Sequence, residues 1–302
     1  MKIFSGTSNK PLAQKIAEKL NLKLSPLEIF VFPDLEKRIR VLDKVVDEDA
    51  VIIQPTSTPA DNNYMELFFI ADALKRSGAC SITAVIPYFG YQRQDHVFRD
   101  GEAVSLEVIV ETLQAVGVSK IITIDLHSIK TPELFKIPIV HLSALSLFAK
   151  KIKELELVNH KSDSVLVSPD MGGIRRIKIL SEELEKMPYA TIEKDRNLKT
   201  GSVLAKKIEG DVKGKRAIIV DDMISTGQTI KTAVNLLLER GAREVYVFVT
   251  HPIFSGNAKQ ILEKVRTGKI FVTDTVYIPK EKQFENLEVL SVVDIIEKSL
   301  RN

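Results

Sequence analysis

One unit recurs along the chain and restricts the fold more than any other feature: an amphipathic helix, a glycine, and an apolar strand that ends at a polar residue. It occurs in YMELFFIADALKRSGACSITAVIPYFG, in SLEVIVETLQAVGVSKIITIDLHS and in TIKTAVNLLLERGAREVYVFVTHP. The glycine of each copy stands where a residue of left-handed conformation commonly ends a helix. These glycines are Gly78, Gly117 and Gly241.

The apolar residues of each unit follow the i, i+3, i+4, i+7 spacing of a helix with one buried face. The predicted buried sets are Leu67, Ile70, Ala71 and Leu74; Leu106, Ile109, Val110 and Leu113; and Ile230, Ala233, Val234, Leu237 and Leu238. Strands that alternate with helices of this length pair in parallel through crossover helices. The pattern therefore predicts an α/β fold in which each domain is a mainly parallel sheet flanked by helices.

The first and third units resemble each other over a longer stretch, because VIIQPTSTPADN precedes one helix as AIIVDDMISTGQ precedes the other. We interpret this as two related halves from an old duplication. The join is placed at FKIPIVHLSALS, where Pro138 interrupts an apolar run. The predicted domains are residues 1–142 and 143–302, and the final VVDIIEKSLRN is predicted to be a closing helix.

Composition excludes several classes of protein. A length of 302 residues is enough for two domains. The net charge of +3 is too small to indicate a nucleic-acid or membrane surface, and Cys80, the only cysteine, allows no intrachain disulfide. The histidines show no zinc-ligand spacing, and neither a signal peptide nor a membrane span is predicted. A cytoplasmic location is the expectation.

The stretch AIIVDDMISTGQT, residues 217–229, places two carboxylates at a predicted strand end, just before a loop suited to an anion. Free N–H groups at the start of the following helix favour a phosphate. Ser225, Thr226 and Thr229 add hydroxyl donors, and Gly227 lets the backbone approach closely. Asp221 and Asp222 can accept from a vicinal diol, directly or through Mg²⁺. A capped strand-to-helix turn would explain one Asp and one Ser, but the whole run favours a sugar phosphate.

VDDMISTGQT resembles the phosphoribosyl-pyrophosphate loop of type I phosphoribosyltransferases. Further motifs in the same order narrow the likeness to the ribose-phosphate pyrophosphokinase (PRPP synthetase) family: FPDLE, QPTSTPADNNYMELFFIADALKRSGA, IPYFGYQRQD, TIDLHS, VSPDMGG and THPIFSG. The resemblance runs over nearly the full chain. It implies two tandem phosphoribosyltransferase-like domains and the transfer of the β,γ-pyrophosphoryl group of ATP to the C1 hydroxyl of ribose 5-phosphate, which gives PRPP and AMP.

The resemblance also implies roles for individual residues. Ribose 5-phosphate would be held by Asp221, Asp222, Ser225, Thr226, Gly227, Gln228, Thr229 and Arg196; ATP by Arg93, Gln94, Asp95, Phe32, Asp34 and Glu36; and Mg²⁺ by His127 and Asp170. Lys194 and Arg196 would be the catalytic basic pair. The family also implies a homo-oligomer in which the loop of Phe32, Asp34 and Glu36 reaches a neighbouring subunit's ATP site.

Taken alone, several of these residues have a purely structural interpretation. RQD at 93–95 would be a solvated loop, although an Arg fork beside a Gln amide suits phosphate and purine recognition. His127 could equally be a core histidine, and Asp170 is the better Mg²⁺ ligand because this ion prefers oxygen. EKDRN, which contains Lys194 and Arg196, would be a mixed-charge loop.

The chain departs from the family pattern at three places. Leu35 stands where the family usually has glycine, which leaves the shape of the ATP loop open, since leucine would be strained at positive φ. Ser225 and Gln228 replace a frequent Asp and Gly, and binding is expected to survive. RDGEAVS and EKDRNLKTG are closer to archaeal-type enzymes, which leaves the oligomeric state and any allosteric site open. Two alternatives are a phosphoribosyltransferase that consumes PRPP and a catalytically silent regulatory homologue.

Overall fold

The computed structural model describes residues 1–128, 131–158, 163–196 and 203–301, and for residues 131, 194–196 and 203–206 it describes the backbone alone. The chain divides into two compact units. Unit 1 comprises Met1–Leu142, Thr275–Tyr277 and Ser291–Asn302, and unit 2 comprises Ser143–Asp274 and Ile278–Leu290.

Unit 1 is built on a five-stranded parallel sheet. The strands of unit 1 in chain order are β1 (Lys2–Ser5), β2 (Leu27–Val31), β3 (Lys37–Val41), β4 (Asp49–Ile53), β5 (Ser81–Ile86), β6 (Lys120–Ile124) and β7 (Ile139–Leu142). The sheet order is β1-β4-β5-β6-β7, while β2 and β3 form a separate antiparallel hairpin. Its helices before residue 142 are α1 (Lys10–Lys19), α2 (Ala60–Arg76) and α3 (Ser105–Ala115).

The β2–β3 hairpin is tied to α2 by a buried ion pair. Lys37 Nζ lies 2.6 Å from Glu66 Oε2, and the two side chains are 9% and 0% exposed. Glu66 also accepts hydrogen bonds from the Thr7 hydroxyl and the Gln54 amide. These bonds satisfy a carboxylate that would be costly to bury alone, and they fix the base of the hairpin.

Unit 2 contains a seven-stranded sheet of order β10-β9-β8-β11-β12-β13-β14, parallel except for the β9–β10 pair. The strands are β8 (Ser164–Ser168), β9 (Tyr189–Arg196), β10 (Val203–Glu209), β11 (Arg216–Ile224), β12 (Glu244–Pro252), β13 (Ile270–Thr273) and β14 (Leu287–Leu290). The helices are α4 (Leu145–Glu154), α5 (Ile174–Glu183), α6 (Gln228–Glu239) and α7 (Ala258–Leu262).

The predicted helical faces are the faces that the cores bury. All four predicted residues of α2 are fully buried, as are Leu106, Val110 and Leu113 of α3, with Ile109 packed against the same core. In α6, Ile230, Ala233, Val234 and Leu237 are buried, and Leu238 packs at the margin. The glycines after these helices, Gly78, Gly117 and Gly241, have positive φ as predicted. Parallel pairing and helix ends are therefore confirmed.

The C-terminal segment differs from the expectation. It forms the predicted helix, α8 (Val293–Arg301), but this helix belongs to unit 1 rather than to the second domain of residues 143–302. It packs on α1, where Arg301 donates to the Lys19 carbonyl and Lys19 pairs with Asp294 at 3.0 Å. Ile296 is fully buried, so the apolar face of α8 completes the core of unit 1.

None of the helices in the described part of the chain combines the length and apolar character that a membrane crossing requires.

Candidate active site

The carboxylates of Asp221 and Asp222 lie at the carboxyl end of β11, in unit 2. Both residues are buried, at 8% and 5% exposure. In parallel sheets, ligands bind beyond the carboxyl ends of the strands, which is the edge where these side chains stand. Burial and the neighbouring Asp222 charge raise the pKa of Asp221 well above its ordinary value. The strand end therefore holds more negative charge than its surroundings stabilise.

Arg176 of α5 is the cation that faces these two carboxylates. Its guanidinium nitrogens lie 3.6 Å from Asp221 Oδ1 and 3.8 Å from Asp222 Oδ1, and its side chain is only 15% exposed. The Arg176 charge opposes the rise in the Asp221 pKa. The sequence analysis missed Arg176. The only local signal was the pair of arginines after VSPDMGG, and nothing in the sequence shows which of the two turns inward.

Asp170 follows β8, the strand beside β11, so the carboxyl ends of the two strands meet at one edge. Its Oδ1 accepts a hydrogen bond of 3.2 Å from the Gly173 N–H and caps the short 3₁₀ turn Met171–Gly173. The Asp170 charge also contributes to the raised pKa of Asp221. Asp170 thus lies at the same sheet edge as Asp221 and Asp222, although the sequence assigned it to a different role.

The loop between β11 and α6 has the backbone of an anion cradle. Gly227 adopts φ +79° immediately before α6, and a Cβ there would meet Leu262 Cγ at 3.1 Å. Behind the loop, the segment after β12 holds it in place, since the Ser255 N–H donates to the Ser225 carbonyl at 2.9 Å. The side chains of Thr226, Gln228 and Thr229 are exposed, and that of Ser225 is half-buried. The N–H groups that open α6 are left for a ligand.

In unit 1 the RQD loop follows β5 and is anchored from several directions. The Gly90 N–H donates to Thr56 Oγ1 at 2.8 Å, and the Tyr91 hydroxyl donates to Asp61 at the start of α2. Arg93 and Gln94 point their side chains outward and are exposed. Asp95 is different: its side chain is 11% exposed and its Oδ1 lies 2.7 Å from His96 Nδ1. Of the three ATP contacts predicted in this loop, Arg93 and Gln94 are therefore exposed to solvent.

A second residue that the sequence analysis missed joins this loop to His127. The side-chain oxygen of Gln92 accepts a 2.9 Å hydrogen bond from the His127 N–H, just beyond the end of β6. Gln92 is buried, and within the described residues its Nε2 has no hydrogen-bond partner. The His127 side chain itself is exposed. The two predicted groups, RQD and His127, are thus neighbours in unit 1 although they lie far apart in the sequence.

Phe32, Asp34 and Glu36 form the exposed tip of the β2–β3 hairpin. The tip is a β-turn closed by the Leu35 N–H, which donates to the Phe32 carbonyl at 2.9 Å, and the Asp34 carboxylate accepts from the Glu36 N–H at 3.2 Å. The rings of Phe30 and Phe32 meet edge to face at 4.9 Å. Leu35 has φ +71°, the conformation that this kind of hairpin normally gives to glycine. The backbone strain expected for a leucine at positive φ is therefore present at Leu35.

Replacing Leu35 by glycine should raise the free energy of unfolding by about 1 kcal/mol. Glycine relieves the strain of a left-handed leucine, which costs about 1–2 kcal/mol, but its greater backbone freedom in the unfolded chain cancels part of this gain. Leu35 is 78% exposed, so little packing is lost. Chemical denaturation measures the change. Leu42→Gly is the matched control, since Leu42 is also exposed but has no positive φ, and it should lose stability. A loss of stability in Leu35→Gly would contradict the strain.

The predicted Mg²⁺ ligands His127 and Asp170 lie in different units, and the predicted catalytic pair is described by its backbone alone. His127 belongs to unit 1 and Asp170 to unit 2, and the described residues contain no group of three or more His, Cys, Asp or Glu side chains suited to a metal. The backbones of Lys194 and Arg196 lie near the end of β9, paired with Ala205 and Val203 of β10. Their side chains lie outside the described part of the chain, so their catalytic assignment stays a prediction.

Known proteins resemble the chain over its full length. A family model for the N-terminal domain of ribose phosphate pyrophosphokinase matches residues 1–117, and one for the phosphoribosyl transferase domain matches residues 131–281. A ribose-phosphate pyrophosphokinase from Gloeobacter violaceus is 37% identical over 99% of this chain and 89% of the relative. One from Fusobacterium nucleatum is 39% identical over 99% and 94%. These relatives are bacterial, so the likeness to archaeal-type members stays a prediction.

A solved structure shows the same likeness in three dimensions. The crystal structure of phosphoribosylpyrophosphate synthetase from Mycobacterium smegmatis matches 99% of this chain and 97% of its own with a TM-score of 0.93 and 34% identity. The predicted fold of tandem phosphoribosyltransferase-like domains is thereby confirmed. With both family models matched in order and relatives aligned from end to end, the chain belongs to the ribose-phosphate pyrophosphokinase family.

Proposed function

We propose that the protein transfers the β,γ-pyrophosphoryl group of ATP to the C1 hydroxyl of ribose 5-phosphate, forming PRPP and AMP. One observation carries the proposal beyond family membership. Two buried carboxylates end β11 and are followed directly by the left-handed Gly227 and the N-terminus of α6. A sugar phosphate presents a vicinal diol and a phosphate, and these are the groups that carboxylates and a helix N-terminus bind.

In the reaction, the C1 oxygen forms a bond to the β-phosphorus of ATP, and the bond from that phosphorus to the oxygen bridging to the α-phosphorus breaks. The electron pair leaves on AMP, and the proton of the C1 hydroxyl is released. Negative charge gathers on the pyrophosphoryl oxygens and on the leaving oxygen, so positioned cations stabilise the transition state. Lys194 and Arg196 are the side chains proposed for this task. A closed loop would also exclude water, which competes as a nucleophile.

ATP is assigned to unit 1, where Arg93 and Gln94 are exposed on an anchored loop beside His127. We propose that the hairpin tip of Phe32, Asp34 and Glu36 completes an ATP site in a second copy of the chain. The hairpin exposes the apolar side chains of Phe30, Val31, Phe32 and Leu35, a cluster that a self-associating protein would cover. We propose that the enzyme is cytoplasmic.

Mg²⁺ fits the donors at the end of β11. Asp221 and Asp222 place two buried carboxylates there, and the raised pKa of Asp221 reflects negative charge that a cation would offset. Asp170 follows the neighbouring strand, but the described residues contain no group of three or more such side chains that could hold the ion by themselves. Protein sites for this ion commonly provide one or two carboxylates and leave other positions to water and substrate phosphates, which suits a site without a complete cage. Bound Mg²⁺ would neutralise charge on the phosphate oxygens. His127 remains a proposed ligand from the family resemblance.

The decisive test is incubation with ATP, Mg²⁺ and ribose 5-phosphate, followed by measurement of AMP and PRPP. Equal amounts of both products are expected. A phosphoribosyltransferase would instead consume added PRPP in the presence of a nucleobase, and a silent regulatory homologue would form neither AMP nor PRPP. Either result would overturn the proposal.

The assignment of Asp221 to the sugar predicts a selective kinetic defect. Asp221→Asn keeps the side-chain shape but removes the charge, and should raise the KM for ribose 5-phosphate about 10–100-fold, the value of a charge-assisted hydrogen bond of about 1.5–3 kcal/mol. The KM for ATP should change little. Steady-state kinetics with each substrate varied in turn measures both constants.

Asp211→Asn is the matched control, because Asp211 lies on the surface of the same unit, 3.0 Å from Lys215. Both KM values should stay near those of the unmodified protein. Equal increases for ATP and ribose 5-phosphate in Asp221→Asn would remove Asp221 from the sugar site while leaving the overall reaction intact.

A further inference from the structure

A polar cavity lies in unit 2, at the amino ends of β11 and β12, on the sheet edge opposite Asp221. Its volume is about 370 Å³, which falls in the range of small-molecule sites. Three arginines line it, Arg216, Arg243 and Arg266, together with Glu244 and Thr267. The proposed reaction gives no role to any of these residues.

The backbone holds the three arginines around one space. Arg216 and Glu244 begin β11 and β12 and are register partners across the two strands. The Arg243 N–H donates to the Lys215 carbonyl at 2.8 Å, which fixes the residue just before β12. The Gly268 N–H donates to the Val245 carbonyl at 2.9 Å and brings the turn of Arg266 alongside. Three separate chain segments therefore converge on the cavity.

The charges of Arg216 and Arg243 both act on the hydroxyl of Tyr246. Its pKa is raised first by burial and then by the charge and hydrogen bond of the Glu244 carboxylate, while the charges of Arg216 and Arg243 oppose the rise. Gly268 lies against the same ring, since a Cβ on Gly268 would come within 3.0 Å of Tyr246 Cε1. Tyr246 therefore lies beside Gly268, one of the residues that line the cavity, and the charges of Arg216 and Arg243 reach its hydroxyl.

The positive charge of the cavity is not balanced by the described residues. None of the three arginines is in a salt bridge with a described carboxylate, whereas nearby Lys215 pairs with Asp211 at 3.0 Å and Lys269 with Glu288 at 3.1 Å. Three arginines against the single carboxylate of Glu244 leave an excess of two positive charges on the lining. Like charges gathered in a concave site attract an anion of matching charge.

We propose that this cavity binds the phosphate group of a small anion, either inorganic phosphate or a phosphomonoester. The planar guanidinium group donates two parallel hydrogen bonds to phosphate oxygens, which makes arginine the residue best suited to such a ligand. The Thr267 hydroxyl accepts a 3.0 Å hydrogen bond from the Asn286 amide and can donate its own proton to the same ligand. This site is separate from the sugar-phosphate loop because it lies at the other end of β11.

A fluorescent residue beside the cavity can distinguish phosphate binding there from phosphate binding at the active site. The chain contains no tryptophan, so Tyr246→Trp introduces a single tryptophan, which can be excited selectively, beside Gly268 of the cavity lining. Titration with inorganic phosphate at constant ionic strength should give a saturable fluorescence change. Adding Arg243→Gln or Arg266→Gln to the reporter should weaken phosphate binding roughly tenfold or more, because each removes a charge-assisted donor. Lys264→Gln, an exposed charge loss in the same turn, should change it less than about twofold.

A parallel titration with a nucleoside monophosphate identifies the source of the phosphate group. Tighter binding than inorganic phosphate would assign a phosphomonoester, and equal or weaker binding would assign phosphate itself. No saturable change with either ligand, or equal weakening by Lys264→Gln and the arginine substitutions, would overturn the proposal. If Tyr246→Trp does not fold, calorimetry on the unmodified protein and Arg243→Gln replaces it: a phosphate heat lost in the variant supports the site, and identical heats refute it.

Discussion

Arg176→Met should lower the free energy of unfolding by about 3 kcal/mol at neutral pH, the lower part of the range for breaking a buried ion pair. The substitution keeps most of the apolar volume of the side chain but leaves Asp221 and Asp222 without the cation that lies 3.6 and 3.8 Å from them. Both carboxylates are nearly inaccessible to water, so solvent does not replace the lost charge. Chemical denaturation at neutral pH measures the effect.

The loss should shrink as the pH falls. The pKa of Asp221 in the folded chain lies above its ordinary value of 3.8, so between those two pH values the folded chain binds this proton more tightly than the unfolded chain. Stability from this group is therefore present at low pH and is lost as the pH rises through the folded pKa. The Arg176 charge lowers the pKa of Asp221, so its removal raises this pKa further and widens the pH range in which the folded chain holds the proton more tightly. The stability difference between Arg176→Met and the unmodified protein should be smaller in mild acid than at neutrality.

Arg175→Met is the matched control, because Arg175 is the preceding residue of α5 and its side chain is exposed. Its free energy of unfolding should stay within about 0.5 kcal/mol of the unmodified protein. Equal losses in the two variants, or a loss in Arg176→Met that does not vary with pH, would show that the carboxylates do not depend on Arg176.

Lys194→Ala should lower kcat roughly 10²–10³-fold while ATP and ribose 5-phosphate bind within a few-fold of normal. A cation that acts on charge developed during transfer contributes in the transition state and little in the ground state. Removing one preorganised donor of this kind typically costs about 3–4 kcal/mol of transition-state stabilisation. Steady-state kinetics and calorimetric titration of each substrate separate the two effects.

Arg196→Ala should also slow turnover, with some loss of substrate binding, since its fork can hold phosphate in the ground state. The double substitution should cost less than the product of the single effects, because the two residues act as a unit. Lys207→Ala is the control: Lys207 is an exposed lysine of β10, 3.4 Å from Glu209. Near-normal kcat in Lys194→Ala would remove Lys194 from the mechanism.

At the hairpin tip, the sequence predicted the segment but only the structure determined its backbone conformation. The motif FPDLE identified the segment and raised the question of Leu35, because glycine is usual there in the family. Only the hairpin geometry supplies φ +71°, since the value follows from the register in which β2 and β3 pair. Likewise the pattern VVDIIEKSLRN predicted a helix, but its packing on α1 decides that the helix belongs to unit 1.

The features of the candidate site were likewise predicted partly by the sequence and decided partly by the tertiary structure. The sequence alone determined the parallel α/β fold, the helix faces, and the Asp221 to Thr229 loop, because periodicity and strand-to-helix junctions arise from residues close in the chain. Only the tertiary structure decided that Arg176 rather than Arg175 faces the aspartates, that Gln92 holds the His127 backbone, and that three arginines surround one cavity. These facts depend on contacts between distant segments, where the charge and burial of a side chain are set by neighbours that no local pattern records.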